Sequence, residues 1–534
     1  MSLHRFFGGL ALPALKPAPA AVRRLPLPGQ LRVPLLQHAG AEAEPCVVVG
    51  DRVRRFQRIG RRAADTLGAD VHAPAAGVVV AIERGPVAMP GTPDATHVVI
   101  AVDAGTAGVG SSGDSDSSED ARMPALDPQA TPLDALRQRL ADAGLVGLGG
   151  AGFPTADKLV GSHRLLILNG AECEPVVACD EALLREHADE VVAGGRLLAR
   201  LCGATRLVLA MEQRMASALP AVQAAIAASV DGGAEGRMVE LALLPDRYPA
   251  GGERQLIQAI TGEEVRDGGL PRDLGVLVQN VATAAAAWRA VVHGEPQVSR
   301  LVTVGGDGVS HAATFDVLLG TPASHVAEAV GGWRDEATVL RAGGPMMGVA
   351  LPHDDVAVIK TTIALTAWCE PVAPDAGAGS SAPRSPLPCI RCGDCANACP
   401  SRLQPQLLHA RLRVSDGGDL AGALALGLGA CIECGACDAV CPSAIPLTAG
   451  FVAARQSARL GQHQRVQAEA AKERFERRIE RLQREAEDAA QHQAQRVKRV
   501  SGAAAAALAK ARSKRAGSGS APGTADAPPE GDRP

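Results

Sequence analysis

At 534 residues the chain is too long for one hydrophobic core and calls for several domains. Apolar residues make up 46% of it but aromatics only 2%, so its cores must rest on Ala, Val and Leu. A net charge of −4 excludes a general pull toward nucleic acid or anionic lipid, and no apolar run approaches the roughly 18 residues of a membrane span.

The opening "MSLHRFFGGLALPALKPAP" is broken by glycine and proline and lacks the apolar centre of a signal peptide, so these features alone predict a soluble cytoplasmic chain. Short β-like runs within 26–103 ("PCVVVGDRV", "GVVVAIERG", "THVVIAVDAG") predict a small β-rich domain. An acidic Ser/Gly-rich linker ends at Arg122, giving a first segment of 1–122. From there "PLDALRQRLADAG" predicts a helix, and "TADKLVGS" opens another. Strands are predicted over 164–169, 206–211 and 238–244. Helices are predicted through "DEALLREHADEVVAGGRLLARLC", over 214–229 and in "GERQLIQAIT". This alternation predicts an α/β domain over 123–274 with a mostly parallel sheet.

Residues 275–350 turn strand-rich again, with "LVTVGGDGV" and a "GGPMMG" turn, and predict a second small α+β module. A linker over 351–388, Pro/Gly/Ser-rich toward its end, delivers a cysteine-rich module at 389–450. In the tail, 451–534, Phe475, Ile479, Leu482, Ala486 and Ala489 make one narrow apolar stripe on a long helix, suited to a coiled-coil contact or to a solvated single helix. A basic stretch and a Gly/Ser/Ala/Pro-rich end follow.

Within the α/β domain, "GLVGLGGAGFPTADKL" (Gly144–Leu159) has the glycine density of a phosphate cradle. Its glycines 147, 149, 150 and 152 fit neither G-x-x-x-x-G-K-[ST] nor G-x-G-x-x-G. Backbone N–H groups of 149–153 beside a helix start suit a phosphate, and Lys158 adds charge. "LLILNGAECEP" sets Asn169, Glu172 and Glu174 just past a strand, where open α/β sheets bind ligands.

Of thirteen cysteines, eight crowd into 389–441 as two C-x2-C-x2-C-x3-C-P runs. Three thiolates two residues apart wrap one face of a cubane, and the fourth, before proline, reaches the neighbouring cluster. Cys389, Cys392, Cys395 and Cys441 are thereby assigned to one [4Fe–4S] cluster, and Cys399, Cys431, Cys434 and Cys437 to the other. A zinc site wants four ligands in two pairs, not two matched runs of four. "PQLLHARLRV" and "GDLAGALALGLG" between the runs predict a helix-rich ferredoxin module. Cys46, Cys173, Cys179, Cys202 and Cys369 read as structural thiols, with Cys173 the candidate exception, and His72 and His353 as loop or core residues. Two clusters carry single electrons, and nicotinamide carries hydrides; FMN, which accepts two electrons and releases one at a time, is the logical converter at the glycine loop.

The glycine loop, "NGAECEP" with Asp180, "YPAGGE" (Tyr248–Glu253) and "QNVAT" (Gln279–Thr283) resemble the NADH- and FMN-binding flavoprotein subunit of respiratory complex I. Together with "GG…K…PLPG…VPLLQHAGAEAEP…VGDRV…HAPAAGVV" and the double cysteine run, the text resembles the C subunits of Rnf-type ion-translocating ferredoxin:NAD oxidoreductase complexes over residues 5–450, in order. The resemblance implies a multidomain α/β + β architecture: a lipoyl-like β domain, a Rossmann-like α/β FMN/NADH domain, an SLBB-like β-grasp module and the two-cluster ferredoxin domain, followed by the tail, whose own text predicts a helical to disordered segment. It implies FMN, two [4Fe–4S] clusters and NAD(H) as substrate. Gly147, Gly149, Gly150 and Gly152 then fall on the flavin-phosphate loop. Lys158, Asn169, Glu172, Glu174, Asp180, Glu253, Asn280 and Thr283 fall on flavin or nicotinamide contacts, with no side chain acting as acid or base.

It further implies an NADH-linked oxidoreductase subunit peripheral to the cytoplasmic face of the inner membrane, which revises the soluble expectation. Its partners would be integral membrane subunits, an iron–sulfur subunit and, indirectly, ferredoxin, but no nucleic acid. Two departures stand out: the complex I loop has arginines where this chain has Val146 and Leu148, and an Asp where it has Ala171. "VRRFQRIG" also replaces a segment that usually contains Lys-Gly-Gln. The rival readings are the flavoprotein subunit of a soluble NAD-linked hydrogenase or formate dehydrogenase, and a non-catalytic iron–sulfur relay or scaffold.

Overall fold

In the computed structural model, which describes residues 5–103, 120–231, 239–369, 385–413 and 418–516, four parallel strands form the centre of the α/β layer. Their order is Val239–Leu244, Arg206–Glu212, Leu165–Asn169, Val276–Asn280. The run "LLILN" is apolar throughout because both of its faces are covered. Leu166 and Leu168 pack with Val191, Leu198 and Val281, while Leu165 and Ile167 face Leu256 and Ile257. Helices Ala188–Leu201, Leu219–Asp231 and Val281–Trp288 contribute to the first of these layers and Glu253–Thr261 to the second. Two helices approach closely where Gly194 meets Ala284: a Cβ at 194 would lie 1.8 Å from the Ala284 carbonyl oxygen. The helical text after Cys179 is interrupted at His187, giving Cys179–Glu186 and Ala188–Leu201.

Two expected boundaries change. Val276–Asn280 pairs along its whole length with Leu165–Asn169, so the α/β sheet continues past 274. The module after it is a six-stranded sheet containing Ser299–Gly305, Ala313–Leu318, Val339–Ala342, Val349–Ala350 and Ala364–Trp368, beyond the expected limit at 350. Pairing partners are distant in sequence, so periodicity alone could not assign either strand to its sheet. The edge of this second sheet is Arg23–Arg24, from the far N-terminal end of the chain.

The β-rich domain comprises a four-stranded sheet (Gln30–Pro34, Asp94–Val102, Gly77–Pro86, Arg52–Val53) and a three-stranded one (Glu44–Pro45, Arg58–Arg61, Val71–His72) around Leu31, Val33, Leu35, Ile59, Val79 and Ile100. Ahead of it, residues 5–22 run as a strap across other modules. Gly9 N–H donates to the Ala398 carbonyl, Leu10 and Tyr248 bridge, Leu15 N–H donates to the Pro175 carbonyl, and Val22 N–H donates to Glu186. The cysteine module is helical, with Asp394–Ala398, Pro405–Leu412, Leu420–Ala425 and Ala436–Ala439, and no strand among its described residues.

Met1–Arg455 form one compact unit and Gln456–Pro534 another. The helix Leu447–Ala516 begins with Leu447 and Phe451 buried in the cysteine module. Beyond Arg455 it exposes Phe475, Ile479 and Leu482 and carries i,i+4 pairs such as Glu473–Arg477. The acidic linker over 105–119, residues 374–384 and the end beyond 516 lie outside the described residues. Among the described residues no helix is long and apolar enough to cross a membrane.

Candidate functional site

The glycine loop is a tight hairpin. Gly147 N–H donates to the Phe153 carbonyl at 2.8 Å, Gly152 N–H to the Gly147 carbonyl, and Val146 bridges Pro154. At its exposed crest, the N–H groups of Gly149, Gly150 and Ala151 have no protein acceptor among the described residues. Gly150 has φ +105°, a conformation that disfavours any side chain, and a Cβ there would face open space. The crest therefore leaves three exposed backbone donors available to an anion. The helix expected after it is a single turn, Thr155–Lys158, too short to add much of a helix dipole to these N–H groups.

Val146 and Leu148 are buried with Ala69, Ala282 and Ala286 and point away from the crest. That is why apolar residues serve there. The loop is held from beneath: Thr283 is fully buried and its hydroxyl accepts the Leu148 N–H at 2.9 Å, while the Leu148 carbonyl faces the Arg300 guanidinium at 3.5 Å. Thr283 thus supports the loop, and the contact expected of it with a ligand is not what its buried hydroxyl makes.

The sheet sets the rest. From Leu165–Asn169 the chain steps outward twice in one direction, then returns to the other side of that strand with Val276–Asn280. Ligands of open α/β sheets bind at such a reversal, beyond the strands' carboxyl ends. Asn169 and Asn280 are register partners at those two ends. Asn169 donates to the Gly251 carbonyl and accepts from Ala171 N–H. Asn280 caps the helix Val281–Trp288 through Ala282 N–H, and its amide donates to Asp180 at 2.6 Å. A Cβ on Gly149 would lie 3.2 Å from that of Asn280, so loop and crevice adjoin.

Glu172 accepts the N–H groups of Asp180 and Glu181 at the start of the helix Cys179–Glu186. Burial and the neighbouring Glu172 raise the Asp180 carboxyl above its ordinary range. At the outer edge Lys158 pairs with Glu253 at 3.0 Å and donates to the Val278 carbonyl at 2.8 Å. Glu174 departs from expectation: both of its oxygens are taken by the N–H groups of Met346 and Met347, in the turn after Val339–Ala342. A Cβ on Gly344 would lie 2.4 Å from its Oε2, so "GGPMMG" is a carboxylate clasp between modules. Burial pushes Glu174 up to about 7 against the pull of those two N–H groups and Arg341.

The two cysteine runs adopt the same backbone. Arg391 and Glu433, Gly393 and Gly435, and Arg402 and Ala444 are equivalent pairs, each with positive φ. Leu403 N–H donates to Cys399 Sγ at 3.4 Å, and Ile445 N–H to Cys441 Sγ at 3.5 Å. Cys389, Cys392, Cys395 and Cys441 line one cavity. Burial raises the thiol pKa of Cys431 and of Cys434, the latter up to about 12, and the nearby Cys399 adds to both shifts. Thiols so crowded are poor anions by themselves and suit a cationic iron core, which favours the thiolate. The donor set fits two clusters.

The α/β layer and the array touch at Tyr248. This residue, the chain's sole tyrosine, is buried with Cys173, Cys434 and Ala436, and its hydroxyl donates to the Cys434 carbonyl at 2.6 Å.

Residues 4–105 match the RnfC barrel sandwich hybrid domain, 140–289 the Nuo51 FMN-binding domain, and 388–445 the 4Fe–4S dicluster domain. The C subunit of the ion-translocating oxidoreductase complex of Rhodobacter capsulatus is 37% identical over 413 residues, 76% of this chain and 74% of that one. The chain belongs to the family of C subunits of ion-translocating oxidoreductase complexes. The Pseudomonas aeruginosa member is 40% identical over 497 residues, 91% of this chain; the chain spans about 60% of the length of that relative and 59% of the Cronobacter sakazakii one. An NAD+-reducing [NiFe]-hydrogenase solved in the H2-reduced state is similar at 23% identity, covering 62% of each chain with a TM-score of 0.44.

The FMN-domain match runs to 289 and so includes the strand Val276–Asn280 and the helix that Asn280 caps. Three contributors were not singled out from sequence. Arg300 lies buried beneath Leu148, Cys179 and Asp180; Lys360 donates to the Asp70 and Gly144 carbonyls at 2.9 and 2.7 Å; Lys16 reaches Glu172 from the strap. Lys16 falls on the K of "GG…K…PLPG", the one signal that pointed to it.

Proposed function

We propose that this chain exchanges electrons between NAD(H) and partner subunits of an ion-translocating complex, with FMN seated on the glycine loop and two [4Fe–4S] clusters in the cysteine array. Bound flavin would take a hydride from nicotinamide and give up its electrons singly to the clusters. The N–H groups of Gly149, Gly150 and Ala151 would hold its phosphate. Asn169, Glu172, Asp180 and Asn280 line the crevice in which the ring system and nicotinamide would lie. Thr283, Glu174, Arg300 and Lys360 act at one remove, by fixing the loop, the "AECEP" segment and the neighbouring modules. No side chain is required as acid or base.

One observation carries the reading. The carboxyl end of the sheet, where the crevice opens, and the Cys434 loop of the array meet through Tyr248 with a single side chain between them. The partners that fit such a protein are integral membrane subunits and an iron–sulfur subunit, with the chain peripheral to the cytoplasmic face of the inner membrane. Anaerobic titration of the purified chain with NADH tests this: the flavin band should bleach and both cluster signals should then appear by EPR. Clusters that stay oxidised beside bleached flavin would sink the proposed route.

A further inference from the structure

Lys16 is far from the crevice in sequence and close to it in space. Its ammonium lies 3.4 Å from Glu172 Oε2, with the two side chains only 9% and 5% exposed. The backbone beside it is pinned, since Leu15 N–H donates to the Pro175 carbonyl at 2.9 Å and Leu10 exchanges backbone hydrogen bonds of 2.8 Å with Tyr248. A surface lysine with a free stem would have neither restraint. The cation also meets a local need. Donor atoms of Glu172, Cys179 and Asp180 lie within 4.8 Å of one another, all three residues buried. Arg300 supplies positive charge to that group, the Asn280 amide donates to Asp180, and Lys16 is the cation that the strap brings to Glu172.

From Glu172 the order propagates. Its Oε1 accepts Asp180 N–H at 2.8 Å, Asp180 Oδ2 accepts the Asn280 amide at 2.6 Å, and Asn280 lies against Gly149 at the loop crest. The strap itself continues the other way to Gly8 and Gly9, where a Cβ at Gly8 would lie 2.7 Å from the carbonyl oxygen of Cys399.

We infer that Lys16 is a positioning residue of the flavin site: by holding Glu172 as an oriented carboxylate it makes the N-terminal strap part of the cofactor crevice. This rests on the crevice being the flavin site. Removing the ammonium takes from Glu172 the cation that the strap supplies and leaves Arg300 alone to balance the buried acids, which misplaces the Asp180–Asn280–Gly149 chain and adds net negative charge near the flavin.

The test uses the full chain purified anaerobically, stripped of flavin and titrated with FMN, with iron content and flavin midpoint potential measured alongside. Lys16→Met should bind FMN about tenfold more weakly, equivalent to about 1.4 kcal/mol, and lower the flavin potential, while iron content stays at the wild-type level. Lys16→Arg should restore both. Should Lys16→Met fold poorly, Glu172→Gln gives a second route: in that background, adding Lys16→Met should cost little more. Wild-type affinity and potential in Lys16→Met, loss of iron together with flavin, or additive losses in the double variant would each overturn the inference. A wild-type chain that takes up no FMN would instead overturn the flavin reading, and the inference with it.

Discussion

The cysteine array and the glycine-loop crevice differ in how far along the chain their parts are gathered. The array is gathered from two short runs of matching backbone, with left-handed turns at Arg391/Glu433 and Gly393/Gly435, and Cys441 of the second run completes the cavity of the first. The crevice takes Lys16 from the strap, a loop at 147–152, Asn169 and Glu172 from one strand end, Asn280 from another, and support from Arg300 and Met346–Met347 in the next module. A local site should fail alone. A gathered one should fail whenever any contributor moves.

The largest expected effect tests the first half of that contrast. Cys392→Ser should halve the iron, from about eight atoms per chain to about four, and leave FMN affinity within about twofold of wild type. Iron analysis with an FMN titration checks it; loss of FMN binding would show that the array and the crevice are one cooperative unit. The converse is Gly150→Asp. At φ +105° any side chain is strained, and a carboxylate at the crest faces a phosphate, so FMN affinity should fall at least about a hundredfold with iron content unchanged. Retained FMN would remove the loop from the flavin site.

Arg300 tests dependence on a neighbouring module. Buried beneath the loop, it faces Cys179 and Asp180, and its guanidinium also donates to the Lys360 carbonyl. Arg300→Met leaves those groups without their cation and should cost about 3–5 kcal/mol in chemical denaturation. FMN binding should weaken, while EPR of the reduced clusters stays unchanged.

Why the array was legible and the crevice only partly so follows from these distances. C-x2-C-x2-C-x3-C-P is itself the geometry, so assigning the cysteines required no tertiary contact. The glycine crest was legible as a loop for the same reason. Thr283, expected at the ligand, turned out to be beneath the loop because its hydroxyl meets Leu148 N–H across 135 positions. Glu174 is clasped by Met347 across 173 positions, and nothing in "GGPMMG" names its partner. Where a neighbouring module packs over the segment after a strand, residue type and local spacing say little about which side chains face a ligand and which face the cover.

Glu174 offers a pH-dependent view of that cover. Burial raises its carboxyl to about 7 in the folded chain, whereas the unfolded chain titrates near 4.5. Between those values the folded state holds a proton that the unfolded state has released, so stability falls as pH rises from about 4.5 to about 7, by about 1–3 kcal/mol. Thermal unfolding across that range should show the slope in the wild type and a flatter one in Glu174→Gln. An equal slope in both would assign it to another group.

The smallest effect lies where the two regions meet. Tyr248→Phe keeps the ring that fills the space among Cys173, Cys434 and Ala436 and removes only the hydrogen bond to the Cys434 carbonyl. Stability should drop by about 1 kcal/mol, the net worth of one such bond. Iron content and FMN affinity should not move, because neither the thiolates nor the crest is touched. What should change is the environment of one cluster: the EPR signal of the Cys399–Cys431–Cys434–Cys437 quartet should shift while that of the other quartet stays in place. Because Tyr248 bonds the Cys434 loop and Arg402 separately pairs with Glu264, equal shifts in both signals would mean that the hydroxyl contact acts through the whole ferredoxin module and not on one quartet.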